Sequence, residues 1–420
     1  MNSRASSHTP FPATPSASGT DVCIVGNGVI GKVAALGFAQ AGQRVTLVCP
    51  PGTSPPPAEG WDVRVYALNH VAHALLSSLK VWDALDATRV EPVDAMAIQS
   101  GEAGSTATGQ LGILNFDAFG AQVGTLAWIV EDSNLNQALN AALKFAANIT
   151  IVRARATVLK QETERAQLHL DQGVPISAAL IVGADGAQSW VRAQADIGID
   201  YRSYEQRAVV TNLACALPHR GVAHQWFTAA EGIVALLPLP GQRVSLVWSA
   251  PDVLAETLMR ESPAQLAARV TTIAHAQLGQ LQPLLPECVK AVPLSLMRAH
   301  AMTAPRVALV GDAAHVVHPL AGHGMNLGFA DVATLLKTVI NRDAPRELPS
   351  DCGDPRLLAR YARSRKEEVL LMQLATDGLA RLFNTEFEPL RLLRNAGLNF
   401  LDKLPVIKRH LIHHALGRPL

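Results

Sequence analysis

Three apolar runs, far apart in the chain, each end on a glycine turn, and this arrangement restricts the fold more than any other feature. The first, Asp21 to Val25, leads into Gly26-Asn27-Gly28-Val29-Ile30-Gly31, then an Ala-rich helical stretch to about Ala41, a stop at Gly42 and a second apolar run, Val45 to Val48. The second occupies Leu180 to Ala187 and ends at Gly183-Ala184-Asp185-Gly186, with Ser189 and Arg192 opening a predicted helix. The third, Val307 to Val310, breaks at Gly311-Asp312. A loop with Pro319, Gly322, Gly324 and Asn326 follows before a helical pattern resumes. A strand–turn–helix junction directs backbone N–H groups at whatever sits over the helix N-terminus, and an aspartate there adds an acceptor for hydroxyls.

At the first junction the glycines have separate uses. Gly26 permits the tight turn, Gly28 lets the backbone approach a pyrophosphate, and Gly31 lets helix and strand pack closely. The flanking strand, helix, glycine stop and second strand fall where a βαβ unit requires them, which favours a dinucleotide over a glycine-rich turn in an ordinary α/β protein. An acidic residue usually ends the second strand and holds a ribose hydroxyl. Here Cys49, Pro50 and Pro51 stand in its place, and no carboxylate follows until Glu59, so the ribose must be held in another way. A strand-end cysteine is more often a small buried hydrophobe than a ligand.

With 420 residues, two domains are expected. Apolar residues at 49% and charged residues at 17% suit a soluble globular enzyme. The net charge of +1 and the lack of a long basic run in the body of the chain point away from nucleic acid. Cys23, Cys49, Cys215, Cys288 and Cys352 are an odd number with no close pair, which implies a reducing compartment and no disulfide framework. Residues 1–19, rich in Ser, Thr, Pro and Ala, read as a disordered tail rather than a secretory signal. No window approaches the roughly 18 unbroken apolar residues of a membrane span.

GNGVIG, VGADGAQSWVR and VGDAAHVVHPLAGHGMNLGFAD, in this order and spacing, resemble the FAD-dependent aromatic hydroxylases of the para-hydroxybenzoate hydroxylase type, and among them the ubiquinone-biosynthesis hydroxylase family. The stretches DVRVYALN, WIVEDSNLNQAL, YEQRAVV and GIVALLPLP are similar more weakly. The resemblance implies a Rossmann-like FAD-binding domain, an antiparallel β-sheet substrate domain and C-terminal helices. It implies that Gly26, Gly28 and Gly31 cradle the FAD pyrophosphate, that Arg64 reaches the cofactor, and that Asp185 with Gly186 serves both FAD and the reduced nicotinamide. Asp312 would bond a ribityl hydroxyl, and Pro319 would face the isoalloxazine near the reacting centre. The backbone from Gly322 through Gly324 and Met325 to Asn326 would meet the pyrimidine edge. Asp132, His323 and Met325 depart from the residues usual at their positions.

The activity so implied is hydroxylation of the ring of a polyprenylated ubiquinone precursor through a flavin C4a-hydroperoxide. FAD is the cofactor, NAD(P)H the transient reductant, and O₂ and a lipid-like aromatic the substrates. No general base is identifiable. His315 and His318 sit three apart with His323 nearby. Pro319 directly after His318, and the lack of a completing Cys or carboxylate, favour loop packing over a metal. Two other readings keep the fold: a flavin enzyme reducing prenyl chains, and a non-catalytic FAD-binding component of a biosynthetic complex. A plain NAD-dependent dehydrogenase would not require the segment from Asp312 to Asn326.

The expected division is a tail (1–19), an FAD-binding domain in three parts (20–91, 128–200 and 296–345), a substrate domain (201–295) joined by an insertion (92–127), and a C-terminal helical region (346–420). Runs at Ala208 to Ala214, Ile233 to Leu237 and Val244 to Trp248 read as antiparallel strands. Trp226, Phe227, Leu237, Pro238 and Trp248 are either pocket walls or core. Residues 391–420 carry Arg391, Arg394, Lys403, Lys408, Arg409 and Arg418 against Asp402, a net of +5, interspersed with leucines. They could lie on an anionic membrane or form a solvated docking face. The expected location is the cytoplasm, with peripheral attachment to the inner face of the cytoplasmic membrane left open.

Overall fold

The computed structural model describes residues 19–52, 60–100, 112–228, 231–284, 288–318, 323–340 and 351–383. Residues 1–18 of the expected tail, Glu59, Pro319, Gly322 and the basic stretch 391–420 lie outside them.

The architecture is α/β with two large sheets. The first has six strands in the order Thr303–Ala304, Val307–Leu309, Leu180–Gly183, Val22–Val25, Val45–Cys49 and Ile149–Arg153. All its neighbours run parallel except the short edge strand Thr303–Ala304. Val22–Val25 and Leu180–Gly183 are buried along their whole length, as expected of a parallel sheet covered on both faces. Val25 stands opposite Gly183, and Gly183 opposite Leu309. The register therefore brings the three glycine junctions to the same end of three adjacent strands, the carboxyl end where open α/β sheets bind ligands.

The first helix, Val29–Gln40, is buried on almost every side because it lies between this sheet and the later helix His323–Val339. Gly37 allows that approach: a methyl group there would sit 2.4 Å from Leu336 Cδ1. One core cluster joins these elements through Phe38, Leu47, Leu135, Phe329 and Tyr361.

The second sheet has nine strands and is almost wholly antiparallel. Its spine is the 17-residue strand Ile199–Cys215, flanked by Lys290–Ala299 and Arg243–Pro251. Ala95–Ser100 and Gly112–Asp117 extend it at the far edge, the former pairing in parallel with Val222–Thr228. Val90–Val93 and Ala127–Glu131, on either side of those two strands, instead pair with each other next to Val65–Leu68.

Two helices, Asp252–Arg260 and Pro263–Leu278, cover one face of the large sheet. They fall in the substrate domain expected as an antiparallel sheet, in a stretch to which no element had been assigned. Ser262-Pro263-Ala264-Gln265 marks the second start: Ser262 accepts from the Gln265 N–H and the Gln265 side chain returns to Ser262 N, a capping box with proline at the first turn. Trp226 and Trp248 pack beneath these helices in one cluster with Leu246, Leu258 and Val270. Trp248 is fully buried and gives its indole N–H to the Glu231 carbonyl at 2.7 Å. These two tryptophans are core rather than pocket wall. Phe227 is also buried, and Leu237 packs against a small cluster with Val93 and Ile129.

Candidate functional site

At the first junction Gly26 has φ 115°, and a Cβ there would lie 2.2 Å from the Ala184 carbonyl oxygen. The neighbouring junction's backbone thus occupies the space a side chain would need. A Cβ at Gly31 would meet the Gly26 carbonyl at 1.9 Å, whereas one at Gly28 would meet nothing within 4 Å. Two glycines are therefore required by packing, and the third leaves an open face at the start of a helix. That helix has no side-chain cap and no acid in its first turn, so its leading N–H groups are available to an anion.

At the second junction Asp185 Oδ2 accepts the Val191 N–H at 2.9 Å, while Oδ1 is buried with no partner among the described residues. Gly186 has φ 85° and open space beside it. Arg192, two-pronged, donates to the carbonyls of Ala187 and Ala313, both at 2.9 Å. It ties the second junction to the third.

At the third junction water reaches Asp312, yet the surroundings desolvate it enough to raise its carboxyl pKa, against the pull of His315 and Arg64. Arg64 enters from the stretch before Val65–Leu68, its guanidinium over the Tyr66 ring at 5.5 Å. Tyr66 donates to Asp132 at 2.7 Å, and the Asp132 N–H bonds the Arg64 carbonyl at 2.9 Å. Asp132, unusual at its position, is thus a partner for Tyr66.

Gly324, Met325 and Asn326 form the first turn of His323–Val339. Gly324 faces open space, and Met325 packs against the first core. The Asn326 side chain grips the end of Val65–Leu68: Nδ2 donates to the Ala67 carbonyl at 2.8 Å and Oδ1 accepts the Asn69 N–H at 3.0 Å. A role for this asparagine in joining two segments, besides any played by its backbone, was not foreseen.

Two further residues escaped sequence reasoning. Asp331, fully buried, accepts from Gly311 N at 2.8 Å and from Arg365 Nε at 2.7 Å, with His315 Nε2 at 2.7 Å. Burial alone would raise its carboxyl pKa, but His315 and Arg365 overcome this and hold it below the usual range. This web sets the turn that presents Asp312. It also commits His315 to a carboxylate, while His318 lies beside Gln206. The signal for Asp331 was a charge at a buried position of a helical stripe; Arg365, 34 residues further on, has no local signal.

Cys49 is buried at the end of its strand. Desolvation raises its thiol pKa, and the nearest charges, Lys32 and Arg153, oppose this. Lys32 is itself nearly buried and donates to Asn136 Oδ1 at 2.7 Å. The corner that usually holds an acid is here lined by a thiol and cations.

These residues fit FAD: an open glycine face at a helix start, a second open glycine at Gly324, a buried carboxylate oxygen without a partner, and Asp312 facing the same end of the sheet. A family model described as FAD binding domain matches residues 19–369. The chain is 34% identical to the ubiquinone hydroxylase UbiL of Rhodospirillum rubrum, over 97% of this chain and 92% of that protein. It is also 34% identical to the 3-demethoxyubiquinol 3-hydroxylase of Escherichia coli, over 95% of this chain and 98% of that protein. Among solved structures, p-nitrophenol 4-monooxygenase PnpA of Pseudomonas putida has the same fold at a TM-score of 0.72 and 19% identity, covering 96% of this chain and 99% of that one.

The fold and the sequence together place this chain among the FAD-dependent aromatic hydroxylases of the para-hydroxybenzoate hydroxylase type, flavoprotein monooxygenases whose cofactor is FAD. Within that class, the chain belongs to the ubiquinone-biosynthesis hydroxylase family.

Proposed function

We propose that this protein hydroxylates the aromatic ring of a polyprenylated ubiquinone precursor, seated between the six-stranded and nine-stranded sheets. One observation carries this most: the three glycine junctions share one end of three neighbouring parallel strands, next to the antiparallel sheet of a hydroxylase fold. When bound and reduced, FAD supplies the activation of O₂ for insertion into an electron-rich ring. The protein supplies positions and charges.

In this assignment the N–H groups after Gly26 and Gly28 take the pyrophosphate. Asp312 accepts from a ribityl hydroxyl, and the free Asp185 oxygen accepts a second donor from cofactor or reductant. Arg64 balances charge close to Asp312, and the helix start at Gly324 and Met325 favours negative charge on the pyrimidine edge. Pro319 and Gly322 complete that loop in sequence. NAD(P)H docks transiently, since the chain has no second βαβ unit of the GNGVIG kind. Mass spectrometry of the lipid that accumulates without this protein tests the reaction: a prenylated precursor lacking one ring oxygen is expected, and an unchanged quinone profile overturns it.

Among the described residues no helix is long and apolar enough to cross a membrane. The basic, leucine-rich residues 391–420 support peripheral attachment to an anionic surface, through which a lipid substrate would arrive. Deleting the residues after Pro405 should abolish co-sedimentation with anionic liposomes; unchanged co-sedimentation would count against this attachment.

A further inference from the structure

Two residues depart from the expected pattern in opposite senses. Cys49 puts a thiol where a strand-end acid is usual, and Asp132 puts an acid where it is not. In the folded protein Lys32 lies close to both. It sits one turn into the helix Val29–Gln40, its N–H bonded to the Gly28 carbonyl at 3.0 Å, so its side chain starts beside the open glycine face. That side chain is nearly buried.

Lys32 reaches Asp132 through an amide. Its ammonium donates to Asn136 Oδ1 at 2.7 Å. Asn136, one turn further along the helix Asp132–Phe145, donates from Nδ2 to Asp132 Oδ1 at 2.9 Å and to the Asp132 carbonyl at 3.0 Å. Tyr66 donates to the same Oδ1 at 2.7 Å. The Arg64 guanidinium lies over the Tyr66 ring, and its charge is felt by Asp132 and Asp312 alike. A continuous polar path thus runs from the helix start at Gly28 to the third junction, with a cation at each end and the Asp132 carboxylate between them.

A carboxylate left to itself beside a bound pyrophosphate would repel it, and the more so where water is excluded. Desolvation lowers the Lys32 pKa and the Asp132 charge opposes this, so the carboxylate helps to keep the ammonium charged. A strand-end acid at position 49 would compete for that ammonium. The Cys49 thiol, its pKa raised by burial, does not. Asp132 also stands in the first turn of its helix, where the macrodipole favours an acid. But Asp62 Oδ2 already accepts the Ser133 N–H of that turn at 3.2 Å, and a second carboxylate is not needed to cap it.

We infer that Lys32 is a positioning residue for the FAD pyrophosphate: acting through Asn136, it offsets the Asp132 carboxylate, which would otherwise repel the phosphates. The two departures are then linked, because the thiol at Cys49 leaves Lys32 free to serve Asp132. This rests on the placement of the pyrophosphate at the Gly28 helix start given above.

Tyr66 and Asn136 both donate to Oδ1, so Asp132→Asn can keep an oxygen there and remove the charge alone. FAD affinity is measured at low salt on the full chain stripped of cofactor, by quenching of flavin fluorescence, beside the melting midpoint of the FAD-free protein. Lys32→Met should weaken FAD binding about tenfold or more. Asp132→Asn should tighten it by about threefold, an effect that fades as salt is raised. The double variant should return to within about threefold of the wild type, a recovery that a packing role for Lys32 would not produce. A double variant as weak as Lys32→Met overturns the inference, as does a Lys32→Met protein of wild-type affinity. If Lys32→Met does not fold, Asp132→Asn decides alone: unchanged or weaker FAD binding at an unchanged melting midpoint overturns it. Gly28→Val is scored separately, since FAD retained there would remove the placement of the pyrophosphate, whereas failure confined to the Lys32 and Asp132 variants removes only this inference.

Discussion

At the scale of single residues, the glycines of the first junction are alike in sequence and differ in consequence. Gly28 has ordinary extended geometry and empty space beside it, so Gly28→Val should fold, at a cost within about 1 kcal/mol, yet purify without the yellow cofactor. Gly31→Val would drive a side chain into the Gly26 carbonyl and should lower the thermal midpoint of the cofactor-free protein as well. Flavin absorbance and a melting curve on each variant separate the two cases; equal melting of both would refute the distinction. Asp312→Ala should weaken FAD binding by about 10- to 100-fold, the range for a hydrogen bond involving a charged group. Because the surroundings penalise the charged form of Asp312, its removal should leave the FAD-free protein at least as stable. A loss of stability without loss of FAD would reverse this assignment. The placement of the motif glycines and aspartates at strand ends was legible because a strand–turn–helix junction depends on local spacing. Asn326 was visible as a motif residue, but its clamp on Ala67 and Asn69 depends on a contact across more than 250 positions, which no local pattern encodes.

At the scale of elements, the helix His323–Val339 is joined to the last helix, Pro355–Phe383, through Asp331 and Arg365. Both side chains are fully buried or nearly so. Breaking such a pair from one side strands a charge, at about 3–5 kcal/mol, so Arg365→Leu should destabilise the protein by that order. Chemical denaturation would show it, and FAD retention should fall with it because Gly311 and His315 share the same carboxylate. An Arg365→Leu protein of wild-type stability would mean that Asp331 finds another partner. The helix pair on the large sheet shows where pattern reading stopped: the strand runs named there end at Trp248, and residues 252–278 were left without an assigned element. The capping signature at Ser262 is present in the sequence and was not used. The strands themselves were legible because β-branched and aliphatic runs bounded by Gly and Pro allow few alternatives. Which tryptophans were core was not legible, since burial of Trp226 and Trp248 depends on helices that had not been expected.

At the scale of the whole molecule, buried histidines set a pH response. Desolvation holds both His224, with a smaller contribution from His219, and His318 down to about 4, against 6.5 when free. The unfolded chain therefore takes up protons first as pH falls, and stability should decline between about pH 6.5 and 4, by up to about 1.4 kcal/mol per pH unit for each group. Above that window both forms are neutral and the effect vanishes. His224→Gln should flatten the decline, measured by unfolding at neutral pH and at about pH 4.5; a slope equal to wild type would show that His224 is not a source.

The strand order of the six-stranded sheet has a consequence for synthesis. Val22–Val25 emerges from the ribosome early, but one of its two neighbours is Leu180–Gly183, and the strand beyond that, Val307–Leu309, comes later still. A nascent chain can close its first βαβ unit against Val45–Cys49 and must then wait, with one flank of Val22–Val25 bare, until Leu180–Gly183 has been made. Flavin capture must therefore follow synthesis of Val307–Leu309 and the turn after it, and limited cellular FAD should act on chains that have passed that point rather than on the first βαβ unit alone.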